Sequence, residues 1–126
     1  SKFGDGKLDK ISPADEHVDL FVSDPTIPIQ SNGGHSCCFD SITPMGPADQ
    51  HNSESSRMVL IYTSEEFAKE KLIIGDAKII VYASSSALDS DFVARLCEVT
   101  AEGISTNIQE GVFFVLSAVT AFLSLC

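Results

Sequence analysis

Three groups of side chains in this sequence are of types that do chemistry. Gly34-His35-Ser36-Cys37-Cys38 places a serine beside a histidine and two thiols. A nucleophile elbow needs Gly-x-Ser-x-Gly on a strand-to-helix turn, which lifts the serine hydroxyl clear of a sheet. Here Cys38 stands where the closing glycine belongs, with no strand pattern before the serine and no helix pattern after it. A histidine adjacent in sequence is also badly placed to turn back onto its neighbour's hydroxyl and take its proton. Ser36 therefore reads as a loop residue. The second group, His35, Cys37, Cys38 and His51, is of zinc-ligating type. Paired zinc cysteines are usually separated by about two to four residues, because adjacent thiolates do not readily reach two corners of a tetrahedron. An ordinary loop with small thiols is the simpler reading.

Asp89, Asp91 and Arg95 form the third group and have the composition of an acid–base or anion-binding set. The structural reading is stronger. Asp89 and Asp91 follow a serine run and suit bonding to loop N–H groups. Arg95 shares a strand face with Val93, Cys97 and Val99, so burial there would demand a carboxylate. Asp91 is the candidate partner. Asp5-Gly6-Lys7-Leu8-Asp9 has a faint calcium-loop pattern but lacks most oxygen ligands and the closing glutamate. It reads as a solvated turn. No phosphate-cradling glycine loop and no aromatic-plus-basic surface is present. The sequence thus assigns no catalytic, cofactor-binding or metal-ligating residue, and no cofactor.

The elements that would carry these residues are strands. Lys78–Ala83 is a β-branched and aromatic run, too short for a typical helix. Ser84–Ser86 and Leu88–Asp91 punctuate it, and Phe92–Val99 resumes a strand pattern. Apolar residues on both faces suggest strands covered on both sides. Earlier in the chain, Val18–Val22, Met58–Glu65 and Leu72–Gly75 are further strand candidates. Residues 1–17 and 35–57 read as loops. Pro25 and Pro28 exclude regular helix and hold Thr26–Ile29 extended, and Asn32-Gly33-Gly34 is a turn.

Composition bounds the function. At 126 residues the length suits one domain with a sizeable core. A net charge of −10 argues against nucleic acid or an anionic membrane surface, since both need clustered Lys and Arg. Cys37, Cys38, Cys97 and Cys126 lack the regular spacing of a disulfide framework. The N-terminal stretch has no basic start followed by an apolar run, so it carries no signal-peptide pattern. Residues 112–126 are largely apolar, shorter than the roughly twenty residues of a spanning helix, and have no basic flank.

Several motifs resemble the C-terminal jelly-roll domain of the cocaine-esterase/NonD hydrolases, a group within the X-Pro dipeptidyl-peptidase and cephalosporin-acylase family. They are Tyr82-Ala83-Ser84-Ser85-Ser86-Ala87 with Asp89, Asp91-Phe92 and Arg95-Leu96, then Ser23-Asp24-Pro25 with Pro28 and Gly33-Gly34. Gly46-Pro47-Ala48-Asp49-Gln50 and the Val59–Glu65 strand add to these. The family's charged residues before that strand are replaced by His51, Ser56, Arg57 and Met58. After Val99 the pattern continues as a turn at Glu102-Gly103, a short strand, and a second turn within Asn107–Gly111. From Val112 to Cys126 the chain departs from the family.

The resemblance implies an all-β fold, a partial jelly-roll β-sandwich with an apolar C-terminal tail. Residues 1–111 would be the N-terminal half of the jelly roll and 112–126 the tail. The tail fits a buried strand or helix, an aggregation-prone end, or a translation artefact such as a frame change or unspliced sequence, and the abrupt departure favours the last. Function follows from the resemblance as well. It implies a non-catalytic accessory domain that walls the substrate cleft of a serine acyl-hydrolase acting on esters or amides. In that family the Ser-His-Asp triad lies on an α/β-hydrolase domain, which becomes the expected partner. The alternative is a free-standing, lectin-like binding module. With half the jelly roll missing, Lys78–Ala83 should have an unpaired edge and the chain should self-associate. Removing residues 112–126 should change solubility with little effect on β content.

Overall fold

The computed structural model describes residues 5–9, 11, 18–35, 41–42, 44–116 and 122–124. Its elements are β1 (Asp5–Lys7), α1 (His51–Glu54), β2 (Ile61–Thr63), β3 (Lys78–Ile80), β4 (Asp89–Val99), β5 (Ser105–Leu116) and β6 (Phe122–Ser124). With a single four-residue helical turn beside strands among the described residues, the fold is all-β, as expected. The strands pair two by two: β1 with β2, β3 with β6, and β4 with β5. The chain divides into two units, Ser1–Ser31 with Gln50–Leu72, and Asn32–Asp49 with Ile73–Cys126.

In the first unit β1 and β2 run parallel, with Gly6 beside Tyr62. The expected loop at residues 5–7 is thus a short strand, because Ile61–Thr63 offers it a ladder. Leu8 N–H donates to the Thr63 carbonyl at 2.9 Å and extends the pairing. Lys7 Nζ meets Glu65 Oε1 at 2.7 Å. Their hydrogen bond, and secondarily their charges, raise the Lys7 ammonium and lower the Glu65 carboxyl from their ordinary values. The Tyr62 hydroxyl donates to Asp19 Oδ2 at 2.7 Å. Burial first, and then the Asp19 carboxylate, push that phenol up to about 12.

The segment expected to be extended from Thr26 instead begins with a tight turn at Asp24–Ile27, for a local reason. Ile27 N–H donates to the Asp24 carbonyl at 3.1 Å. Thr26 donates to Asp24 Oδ1 from its backbone N–H at 2.9 Å and its hydroxyl at 2.6 Å. Asp at the first corner and Pro at the second suit such a turn. The two Thr26 bonds hold the Asp24 carboxyl below its usual range. Val18–Val22 joins no ladder. Strand propensity needs a pairing strand to become a strand, and among the described residues no strand pairs with this segment.

The second unit is built on the β4–β5 hairpin. Its register runs from Asp89 opposite Leu116 to Leu96 opposite Gln109, then resumes with Cys97 opposite Asn107. Ile108 is therefore an extra residue, a β-bulge in β5. The turn at Glu102-Gly103 is where the sequence placed it. Gly103 N–H donates to the Thr100 carbonyl at 2.9 Å, with Gly103 at φ 85°. Glu102 accepts from Thr100, which lowers its carboxyl.

The second expected turn, within Asn107–Gly111, is instead strand. Gly111 lies opposite Ala94 in mid-ladder. Local turn chemistry loses there to pairing with β4, and the irregularity is absorbed by the bulge. β5 then runs on through Val112 to Leu116, and Phe122–Ser124 pairs antiparallel with Lys78–Ile80. Leu72–Gly75 forms no strand, and Leu72 and Ile74 are 85% and 84% exposed.

The buried residues among those described are Gly33, Gln50, Ser105 and Asn107, and no apolar side chain is among them. The hairpin is not covered on both faces, contrary to the alternation-based expectation. Val93, Val112 and Phe114 stand on one face at 59%, 57% and 70% exposure. The opposite face, with Phe92, Ala94 and Phe113, is half-buried.

Candidate functional site

Among the described residues, β5 organises a place where the Gly33-Gly34 turn and the Gly46–Asp49 loop converge. Asn107 is 4% exposed, and its carboxamide is used at both ends. Oδ1 accepts the Ala48 N–H at 2.7 Å, and Nδ2 donates to the Gly46 carbonyl at 3.3 Å. The backbone adds a 3.4 Å bond from Asn107 N–H to the Ala48 carbonyl and a bridge between Asp49 and Thr106. Gly46-Pro47-Ala48-Asp49 is thus laid along β5 as a partial strand. From the other side, Asn32 Nδ2 donates to the Asp49 carbonyl at 2.8 Å.

Gly33 and Gly34 close the arrangement. Gly34 and Gly46 exchange backbone hydrogen bonds at 2.8 and 3.0 Å. Both have positive φ, 76° and 81°. A Cβ at Gly33 (φ 74°) would meet the Gly46 carbonyl, the Ala48 methyl and Asn107 Oδ1. One at Gly34 would strike the Glu110 carboxylate. Only glycine combines this backbone with that approach.

Glu110 is the charged member. Its Oε2 accepts from Arg95 Nη2 at 3.0 Å and Nε at 3.3 Å, and Oε1 accepts the His35 backbone N–H at 3.4 Å. Both side chains of the ion pair are 20% exposed. Arg95 therefore has the carboxylate it needs, but it is Glu110 and not Asp91. The reason is geometric. Residues four apart on a strand share a face yet lie about 13 Å apart, whereas Glu110 is directly opposite Arg95. Asp91 is exposed. The serine run is closed by serine and not by aspartate, with Ser85 Oγ at 2.7 Å from Ser90 Oγ and accepting the Ala87 N–H at 3.1 Å.

A shallow depression of about 230 Å³ lies between these loops and β5, lined by Gly34, His35, Gly46, Pro47, Asn107 and Glu110 among others. The Asn107 and Glu110 side chains are engaged with the loops, so the cluster holds two loops on a hairpin. Ser36, Cys37 and Cys38 lie outside the described residues, and so does the zinc set that included them. His51 sits on α1 in the other unit. Among the described residues no group of three or more His, Cys, Asp or Glu is placed to hold a metal ion. None of their helices is long and apolar enough to cross a membrane. Cys97 is a half-buried thiol on β4.

Asn107 and Glu110 were the members that sequence reading missed. Both sat in a segment read as a turn. The available signal was a half-buried Arg95 needing a carboxylate at matched register on a neighbouring strand.

The chain resembles known proteins along most of its length. Residues 4–116 match the family described as the X-Pro dipeptidyl-peptidase C-terminal non-catalytic domain. The cocaine esterase of Rhodococcus sp. (strain MB1 Bresler) is 30% identical over 109 residues, which are 86% of this chain and 19% of that protein. The chain thus spans about a fifth of the length of that relative. No solved structure matches it. The matched span takes in both glycine turns, the Gly46–Gln50 loop, and the hairpin with its Arg95–Glu110 pair, and the chain belongs to the family of X-Pro dipeptidyl-peptidase C-terminal non-catalytic domains.

Proposed function

We propose that this chain is the accessory part of a serine acyl-hydrolase acting on esters or amides, contributing a jelly-roll wall to the substrate cleft. Its partner is the α/β-hydrolase domain that carries the Ser-His-Asp triad, and the chain itself supplies binding surface and not chemistry. The observation that carries this reading is the inverted burial. The described residues that are buried are polar or glycine, while Val93, Val112 and Phe114 stand exposed on one sheet face. Apolar surface of this kind marks a face that another part of an assembly covers. The polar cluster at Asn107 and Glu110 supports the same reading, because its groups are spent on holding loops in place.

The test is reconstitution. The chain is mixed with an α/β-hydrolase domain of this family stripped of its own C-terminal domain. Expected are a one-to-one complex, a changed KM for an ester substrate, and a fluorophosphonate label on the catalytic domain alone. Stoichiometric labelling of any serine in this chain, or no association across the micromolar range, defeats the proposal.

A further inference from the structure

Asn32-Gly33 stands where the Gly33-Gly34 turn meets the Gly46–Asp49 loop. An asparagine followed by glycine is the pair most open to attack by a backbone nitrogen on the preceding carboxamide, because glycine brings no Cβ to shield that nitrogen. The chain's other two asparagines, Asn52 and Asn107, are followed by Ser53 and Ile108. At Asn32 the carboxamide is also structural. The residue is half-buried, and its Nδ2 donates to the Asp49 carbonyl at 2.8 Å. Gly33 is buried at φ 74°, with the Gly46 carbonyl, the Ala48 methyl and Asn107 Oδ1 where a Cβ would stand. Gly34 exchanges backbone bonds with Gly46 at 2.8 and 3.0 Å. The nitrogen that such an attack must expel is therefore one that the fold uses to fasten the turn.

We propose that Asn32 is a deamidation site that the folded loop cluster holds in check, and that its conversion unfastens the Gly33-Gly34 turn. The Gly33 nitrogen loses its proton to water and attacks Asn32 Cγ. The Cγ–Nδ2 bond breaks, and Nδ2 leaves as ammonia with a proton drawn from water, so a cyclic succinimide remains. Water then adds to either ring carbonyl and reopens the ring as aspartate or isoaspartate. The balance is carboxamide plus water giving carboxylic acid plus ammonia. In the folded chain, ring closure waits on local opening of the turn. It needs Nδ2 off the Asp49 carbonyl and the Gly33 peptide free to swing toward Cγ. After conversion the turn cannot close as before. A carboxylate has only acceptors, so position 32 then sets oxygen against the Asp49 carbonyl oxygen. Isoaspartate also routes the main chain through Cβ, lengthening it by about 1.5 Å. That extra length falls just before Gly33, which has no room even for a methyl group. The inference stands independently of the accessory-domain reading.

Mass mapping of proteolytic peptides tests it, on the full 126-residue chain aged in mildly alkaline buffer, native or in urea. The peptide carrying Asn32 is expected to convert from amide to acid well before Asn52 or Asn107, with isoaspartate among the products. The native chain should convert at least about tenfold more slowly than the unfolded one. Asn107→Ala, which loosens the Gly46–Asp49 loop, should speed conversion in native buffer and leave the rate in urea unchanged. Asn32→Asp installs the acid outright. Hydrogen exchange on it should show the Gly34 and Gly46 amides losing protection while the ladder between Asp89–Leu96 and Gln109–Leu116 keeps its own. The comparison of native buffer with urea needs no variant, so it decides the matter even if a variant fails to fold. No acid at Asn32 in urea, equal rates in native buffer and urea, or undiminished protection of Gly34 and Gly46 in Asn32→Asp overturns the inference.

Discussion

Glu110 stands directly opposite Arg95 in the β4–β5 ladder and takes both Nη2 and Nε of the guanidinium on one carboxylate oxygen, at 3.0 and 3.3 Å. Its other oxygen holds the His35 N–H at 3.4 Å. One side chain thus ties the hairpin together and fastens the Gly33-Gly34 turn to it. Each side chain of the pair is only 20% exposed, so loss of one partner leaves a poorly hydrated charge.

Glu110→Ala or Arg95→Ala should therefore destabilise the chain by about 1–3 kcal/mol, between the values for exposed cross-strand pairs and for buried ones. Asp91→Ala should cost less than about 0.5 kcal/mol at concentrations where the chain is monomeric. Urea denaturation in two double-mutant cycles separates the pairs. Arg95 and Glu110 should couple, and Arg95 and Asp91 should not. Coupling in the second cycle alone would reverse the assignment.

Asn107→Ala should cost about 1–3 kcal/mol, because it removes the Oδ1 acceptor of the Ala48 N–H and the side-chain donor to the Gly46 carbonyl, which keeps the Gly34 N–H. Hydrogen exchange gives the sharper readout. The Ala48 amide should lose protection while amides in the ladder between Asp89–Leu96 and Gln109–Leu116 keep theirs. Uniform loss across both would mean that the loop and hairpin open as one unit.

Gly34→Ala and Gly103→Ala both force a side chain into positive φ, 76° and 85°. Only Gly34 also has the Glu110 carboxylate in the way, while Gly103 faces open space. Gly103→Ala should cost about 1 kcal/mol and Gly34→Ala about 2–3 kcal/mol. Thermal unfolding of the two variants ranks them, and equal losses would remove the steric part of the account.

Tyr62 carries a pH dependence. Its phenol is pushed up to about 12 from 10.0, by burial first and Asp19 second. A raised value in the folded state means that the associated stability is fully present below pH 10.0. That stability fades as pH rises through about 12. Phenolate absorbance should show a late-titrating group that Tyr62→Phe abolishes and Asp19→Asn shifts downward. The chain has no Trp and two Tyr, so the signal is simple to read. Ionisation of both tyrosines at the ordinary value would contradict it.

Truncation before Val112 was expected from sequence to alter solubility and spare β content. With β5 crossing that point, the cut removes the residues opposite Asp89–Val93 as well as β6. Far-ultraviolet circular dichroism should therefore show a clear loss of strand signal. An unchanged spectrum would mean that those pairings contribute little in solution.

The sequence by itself determined the strand character of the chain, the Glu102-Gly103 turn, and the family. Each rests on local chemistry: β-branched runs, a glycine that takes positive φ, and motif wording. What only the tertiary structure decided is which segments became strands, and which carboxylate serves Arg95. Leu72–Gly75 and Val18–Val22 have strand composition without a ladder, while Asp5–Lys7 and Asn107–Gly111 have turn composition and a ladder. Backbone pairing is a property of two segments at once, and single-segment propensity is too weak to override it. The same holds for the ion pair. Asp91 is close to Arg95 in sequence and about 13 Å away on an extended strand, whereas Glu110 is fifteen residues on and directly across.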